Sequence, residues 1–297
     1  MRVAFAQAII AQYESDPNAF FLTGDLGFMA LEDVRDSLGT RFVNMGVSEQ
    51  NMVSVAAGLA REGLKPFVYS IAPFCYARPF EQIRNDICFG QLSVCLVGNG
   101  GGYAYGYMGP THHALEDCAA MNALGVRVLV PAFDDDMPTL VSRIHGPTYL
   151  RLGYDARPKG MTVEPYAAWR KVLPGGRGVL LALGPLAGVA WDALKGLPTE
   201  QRPAVWAVCE LPLSEVPSEV LGVVASGQPV YIVEEHVAAG GLGMQFSLAL
   251  AAKACAPASF NHRHASGHAV KEFGSQAFHR AQCGLDVGSI LAMVEGT

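Results

Sequence analysis

Charge is what this sequence has least of. Asp, Glu, Lys and Arg together make up 16% of its 297 residues, against 51% for apolar types. With so little charge to cover it, part of the surface is expected to lie against a partner. The charge present sums to −6 and leaves no basic stripe for a phosphate backbone, which argues against nucleic-acid binding. Long hydrophobic runs are missing too: none reaches the roughly 18 residues that a membrane span requires. The opening MRVAFAQAIIAQYE is amphipathic and lacks the layout of a signal peptide, so a cytoplasmic protein with no membrane contact is expected. Paired cysteines are absent. Cys75, Cys88, Cys95, Cys118, Cys209, Cys255 and Cys283 never form C-x-x-C, and several sit in apolar runs such as SVCLVG, where a thiol behaves as a small hydrophobe. Neither G-x-G-x-x-G nor the phosphate loop G-x-x-x-x-G-K-[ST] occurs.

What is present is an alternation of short β-rich runs and helical patterns. AFFLTG, RFVNMG, KPFVYSIA, SVCLVGN, VRVLVPA and PTYLRLG read as strands, with helices over 48–62, 76–89, 113–124 and 135–144. Nearly continuous apolar strands separated by helices predict an α/β domain with a parallel sheet covered on both faces. A turn-rich stretch with YDARPKGMTVEP and PGGRG follows. A second, smaller alternation then places strands at GVLLALG, AVWAVCEL and PVYIVEEH, and helices near 186–195, 214–221, 241–254 and 286–295. The expected division is 1–155, a linker over 156–177, and a second α/β domain over 178–297.

In parallel sheets, ligands bind at the carboxyl ends of strands, which directs attention to three segments. GVSEQNMVSVAAGLAREG puts Glu49 at the mouth of a helix capped by Ser48. A carboxylate there suits the positive helix end, and it could equally face a ligand. YSIAPFCYARPFEQIRND clusters Phe74, Tyr76 and Phe80, which could be core or a platform for a flat ring, while Glu81, Arg84 and Asp86 read as ordinary surface pairs. VGNGGGYAYGYMGPTHHALED is rich in glycine, which lets a backbone approach a ligand closely. Its His112 and His113 could be packed rings or proton-transfer groups.

Taken together, FVNMGVSEQNMVSVAAGLAREG, PFEQIRND, GPTHHALED and GPTYLRLG resemble the pyrimidine-binding domain of transketolases and of 2-oxo acid dehydrogenase beta subunits. VYIVEEHVAAGGLG resembles the C-terminal domain that follows it in both, so the resemblance runs along essentially the whole chain. It implies a parallel-sheet pyrimidine-binding domain followed by a transketolase C-terminal domain, and thiamine diphosphate as cofactor. Glu49 matches the carboxylate that hydrogen-bonds the N1′ nitrogen of the cofactor pyrimidine. Phe74 matches an aromatic that stacks on that ring, Phe80 a neighbouring aromatic, and His112 a histidine that exchanges protons with the substrate. Asp25, in TGDLG, falls where transketolases carry an Asp-Leu and is counted with the cofactor site.

The family holds the diphosphate through Mg²⁺ on another domain, marked by G-D-G and a downstream asparagine, and this chain has no such motif. It therefore resembles the C-terminal subunit of a split transketolase, with no metal ligand of its own. A self-associating chain completed by a separate N-terminal subunit, in an α2β2 heterotetramer, is implied. The resemblance breaks in front of Gly-Pro-Thr-His, where the family's Glu-Asp pair is replaced by Tyr107 and Met108. A loop histidine is replaced near Gly100, and a phosphate-gripping arginine by Tyr154, with Arg151 and Arg157 nearby. Met108, His112, His113 and Tyr154 are thus the candidate contacts to a small-molecule substrate. Apolar groups in place of charged ones point to a less phosphorylated or modified sugar of specialised metabolism as the donor or acceptor of a two-carbon ketol or acyl unit. A 2-oxo acid dehydrogenase beta subunit and a non-catalytic scaffold subunit are the other two readings. His262, His264 and His268 in NHRHASGHAV have a metal-like spacing without a fourth ligand and read as a loop. Glu234, Glu235 and His236 read as packing and contact residues.

Overall fold

In the computed structural model, which describes residues 1–27, 30–267 and 273–296, the apolar runs of the first half become parallel strands. They are β1 (Ala19–Thr23), β2 (Phe42–Asn44), β3 (Lys65–Ile71), β4 (Cys95–Asn99), β5 (Arg127–Leu129) and β6 (Thr148–Leu152). Their sheet order is β5-β6-β4-β3-β1-β2. Alternate residues of each strand serve opposite layers. Phe21, Phe67, Cys95 and Leu150 pack under the helices Arg2–Ser15 and Met137–Ser142. Leu22, Val68, Leu96 and Tyr149 pack under Glu49–Arg61 and Asp117–Ala123. This two-sided burial is why the strands carry no polar face.

The second half adds β7 (Trp169–Leu173), β8 (Val179–Leu183), β9 (Ala204–Val208), β10 (Glu210–Leu211), β11 (Val230–Glu234) and β12 (Phe260–His264). The order β12-β11-β8-β9-β7 is parallel except for β7, which runs antiparallel to β9. β7 begins inside the turn-rich 156–177 stretch. AVWAVCEL, read as one strand, splits at Cys209. Its last two residues, β10, cross over and pair antiparallel with β5 in the first sheet. One apolar cluster accordingly runs from Met52 and Tyr149 through Trp206 to Ile232 and Phe246 without a break between the halves.

Three further readings are corrected. The helix expected over 76–89 is interrupted at Pro79, giving Ala72–Tyr76, a turn at Phe80–Gln82 and a π-helical turn over Ile83–Cys88, because proline lacks the N–H that would continue the ladder. The helix expected from 214 starts at Ser218, after Pro217. The segment 260–264, read as a loop, is the edge strand β12; alternating histidines gave it no apolar signature. His268 lies outside the described residues.

Candidate active site

The carboxyl ends of β1 to β4 converge on the region expected to hold the site. β2 ends at Asn44, and Glu49 opens the helix that follows, 4% exposed. Ser48 stands at the helix N-cap, yet its hydroxyl donates to Met45 O at 2.7 Å rather than receiving a helix N–H. The expected cap bond is therefore not made. From the turn after the helix Ala72–Tyr76, Arg78 Nη1 reaches both Glu49 oxygens, at 2.9 and 3.1 Å, and Ser70 Oγ, on β3, stands 3.5 Å from Oε1. The same guanidinium lies over the Phe74 ring, 3.8 Å from its centroid. Arg78 was not singled out from the sequence. Its signal was its place four residues after Phe74, about one helical turn.

His112 meets Phe74 edge-on, with ring centroids 5.1 Å apart, while its Nδ1 lies 2.9 Å from Thr111 Oγ1. The Tyr105 ring also meets His112 edge-on, at 6.5 Å, and its hydroxyl accepts a hydrogen bond from Asn99 at 2.6 Å. Burial, then the neighbouring Tyr154, push the Tyr105 phenol above its ordinary pKa. Glu49, Arg78, Phe74, His112 and Tyr105 thus form a continuous run of neighbours. Tyr107, Met108 and Tyr154 are 76%, 52% and 55% exposed.

The other candidates fall to the sides. Asp25 and Asn44 exchange hydrogen bonds at 2.8 and 3.1 Å. They line a cleft of about 490 Å³ with Thr23, Leu26, Arg35 and Phe42, adjoining the site through Gly24, whose Cβ would lie 3.8 Å from Glu49 Oε1. Phe80, partly exposed, sits on the turn that packs against the Glu49 helix. His113 is buried: its ring meets Tyr103 at 5.1 Å and His279 at 5.0 Å, so it faces protein rather than the Phe74 side of the loop. Arg151 is buried too, its Nε 2.8 Å from Asp117, and Arg157 pairs with Asp135. Arg151 is thus not free to grip a phosphate, while the Arg157 pair is partly exposed.

The loop glycines have a different use from the one expected. A Cβ at Gly98 would strike Tyr149, at Gly101 Arg151, at Gly102 Glu235, at Gly106 Gly274 O and at Gly109 Phe273, each within 2.2 to 2.6 Å. The missing side chains make room for this protein's own residues. Asp117, Cys118 and His236 bring three potential metal donors within 4.8 Å of one another. Asp117 Oδ2 already accepts from Tyr149 and Arg151, both at 2.8 Å. Burial pushes the Cys118 thiol well up and His236 down, so a cation already fills the electrostatic role a metal would take. On β12, His262 Nε2 lies 2.7 Å from Glu234, and that carboxylate also receives the N–H groups of Leu242 and Gly243 at the next helix start.

Residues 1–154 match the family model described as transketolase, pyrimidine binding domain. The chain belongs to the transketolase family. Membership implies thiamine diphosphate as cofactor and makes the chain a component of a thiamine-diphosphate-dependent transferase. A subunit of the apulose-4-phosphate transketolase of Phocaeicola vulgatus is 30% identical over 254 residues, 82% of this chain and 80% of that protein. The corresponding subunit from Actinobacillus succinogenes is 29% identical over 84% of this chain and 83% of its own. A solved split gene transketolase, described as an inactive beta4 tetramer, superposes with a TM-score of 0.81 at 28% identity, over 99% of this chain and 96% of that one. The transketolase of Leishmania mexicana shares the fold, with a TM-score of 0.79 at 20% identity over 45% of its own length. Both transketolase domains expected from the sequence are thus present in this fold.

Proposed function

We propose that this chain is the pyrimidine-binding subunit of a split transketolase, which transfers a two-carbon ketol unit together with a separate subunit that holds Mg²⁺ and the diphosphate. The observation that carries this is the buried carboxylate of Glu49 and the Phe74 ring, bridged by the Arg78 guanidinium, at the carboxyl edge of a parallel sheet. The cofactor's pyrimidine needs such a pair, a carboxyl group that exchanges a proton with N1′ and a flat face, so the residues present fit the group. When bound, thiamine diphosphate supplies the carbanion chemistry that breaks and remakes a carbon–carbon bond beside a carbonyl.

Glu49 holds the proton at N1′, screened from water by the packing that buries it. Phe74 fixes the plane of the ring. Arg78 yields part of its hold on Glu49 and Phe74, which its partly exposed side chain allows. His112, on the edge of Phe74, donates and accepts protons at the substrate oxygen.

The lack of a G-D-G motif, and the subunit names of the relatives, support a partner polypeptide and an α2β2 assembly. The beta4 tetramer described for the split gene relative supports self-association of this chain. The relatives' transketolase names favour ketol transfer over acyl transfer to a lipoyl carrier. Exposed Tyr107, Met108 and Tyr154 support a modified or less phosphorylated sugar in place of a plain pentose phosphate.

The test reconstitutes the chain with its partner and compares xylulose 5-phosphate with modified sugars such as apulose 4-phosphate as ketol donors. Glu49→Gln is expected to lower turnover about a hundredfold or more while leaving the melting temperature nearly unchanged. Full activity of the glutamine variant would remove Glu49 from the mechanism, and efficient turnover of xylulose 5-phosphate would remove the substrate reading.

A further inference from the structure

The loop that carries Met108 and His112 is closed on itself. Gly102 and Ala114 pair as an antiparallel bridge, with N···O distances of 2.9 and 3.0 Å. Inside the bridge a ladder of short turns leads outward. Gly106 N–H donates to Tyr103 O at 2.8 Å, Met108 N–H to Tyr105 O at 2.8 Å and His112 N–H to Gly109 O at 3.0 Å. With Gly109 N–H donating to Gly106 O at 3.1 Å, these bonds form an unbroken path from Tyr103 to His112.

What fixes the bridge comes from the other domain. Glu235, 5% exposed and one residue beyond β11, accepts the Tyr103 N–H at 2.6 Å. The same oxygen accepts from Gln276 Nε2 at 2.9 Å, and the second oxygen from Arg280 Nε. Two residues on, Val237 N–H donates to Leu115 O at 2.8 Å. Arg151 Nη2 spans the seam, 2.6 Å from Ala114 O and 3.0 Å from Glu235 O. Both ends of the loop are thus held by one three-residue segment. Glu49 and Phe74 follow β2 and β3 and make none of these bonds.

We infer that Glu235–Val237 is a bracket through which the C-terminal domain sets the position of His112 and Met108. Glu235 is accordingly a positioning residue for the substrate, acting through the Tyr103 amide. The inference rests on the ketol-transfer reading for its kinetic consequence, while the bracket itself can be read without substrate.

The experiment uses the full chain assembled with its partner, carrying Glu235→Ala or Glu235→Gln. Glutamine keeps a carbonyl oxygen for Tyr103 N–H but loses the charge that faces Arg280, so it serves as the milder variant should alanine fail to fold. In Glu235→Ala, amide hydrogen exchange over 102–113 is expected to speed up roughly tenfold or more, with the helix 49–61 unchanged and glutamine intermediate. The sugar KM is expected to rise by about tenfold while the dissociation constant for thiamine diphosphate stays within about twofold. Unchanged loop exchange overturns the bracket, as does faster exchange throughout the chain. A loosened loop with an unaltered KM, or a parallel loss of cofactor affinity, overturns the positioning role. If the unsubstituted enzyme transfers no ketol unit, the functional reading fails, and the exchange pattern alone decides the bracket.

Discussion

Arg151 shows how a buried charge can be tolerated in a chain with few charges. It is fully enclosed, and its nitrogens reach the Asp117 carboxylate and two backbone carbonyls, those of Ala114 and Glu235. Tyr149 shares the same Asp117 oxygen at 2.8 Å. Removing one member of such a group leaves the other charge buried and unpaired, which is worth about 3–5 kcal/mol. Arg151→Met is therefore expected to destabilise the protein by about that amount in urea unfolding. A loss below about 1 kcal/mol would show the pair to be neutral in net energy. From the sequence alone Arg151 could equally have been a phosphate ligand, since nothing local marks a side chain whose partner lies 34 positions away. Glu49 stood out because helix entrance and strand end fall within one short window, while its part at a cofactor came only from the family resemblance. Arg78 did not stand out, because its two contacts depend on how the turn after the helix Ala72–Tyr76 folds back.

At the scale of elements, the strands were the most readable parts. Burial on both faces leaves apolar runs with turn residues at each end, and β1, β3, β4, β6, β8 and β11 lie inside the runs read as strands. β12 was missed because an edge strand carries polar residues, here His262 and His264. Helix ends were read less well, and their caps explain why. Ser48 has the right chemistry but turns its hydroxyl back to Met45. Asp286 does cap: its carboxylate accepts the Ser289 N–H at 3.1 Å at the start of the helix Val287–Glu295. Burial raises the Asp286 pKa, but the Ser289 hydrogen bonds outweigh it and hold the group below the ordinary 3.8. Because the folded pKa is the lower one, its stabilisation is complete above pH 3.8 and is lost as the pH falls through the depressed value. Asp286→Ala is expected to lose about 1 kcal/mol near neutral pH. Its stability should converge with that of the parent in acid, and a constant gap down to the lowest pH measured would contradict the cap.

Across the whole molecule, the two sheets are tied by backbone as well as by side chains. β10 leaves the second sheet's neighbourhood to extend the first, where Glu210 takes Arg127 in a bidentate pair at 2.9 and 3.1 Å and Tyr166 at 2.7 Å. The apolar cluster shared by both halves removes any seam along which one could melt before the other. Calorimetry of the full chain is expected to give one cooperative transition. Two separated transitions would mean that β10 and the shared cluster contribute little. Sequence reading could not see this junction, because two residues are too short to show a period.

The β10 crossing also bears on how such chains can be recombined. The first domain is finished by Glu210 and Leu211, residues encoded more than fifty positions after Leu152 closes its last parallel strand. A chimera cut between Leu152 and β7 would thus exchange part of the first sheet along with the second. Portability between relatives would follow the fit of a two-residue graft, and the end of the last parallel strand would be a poor guide to where to cut.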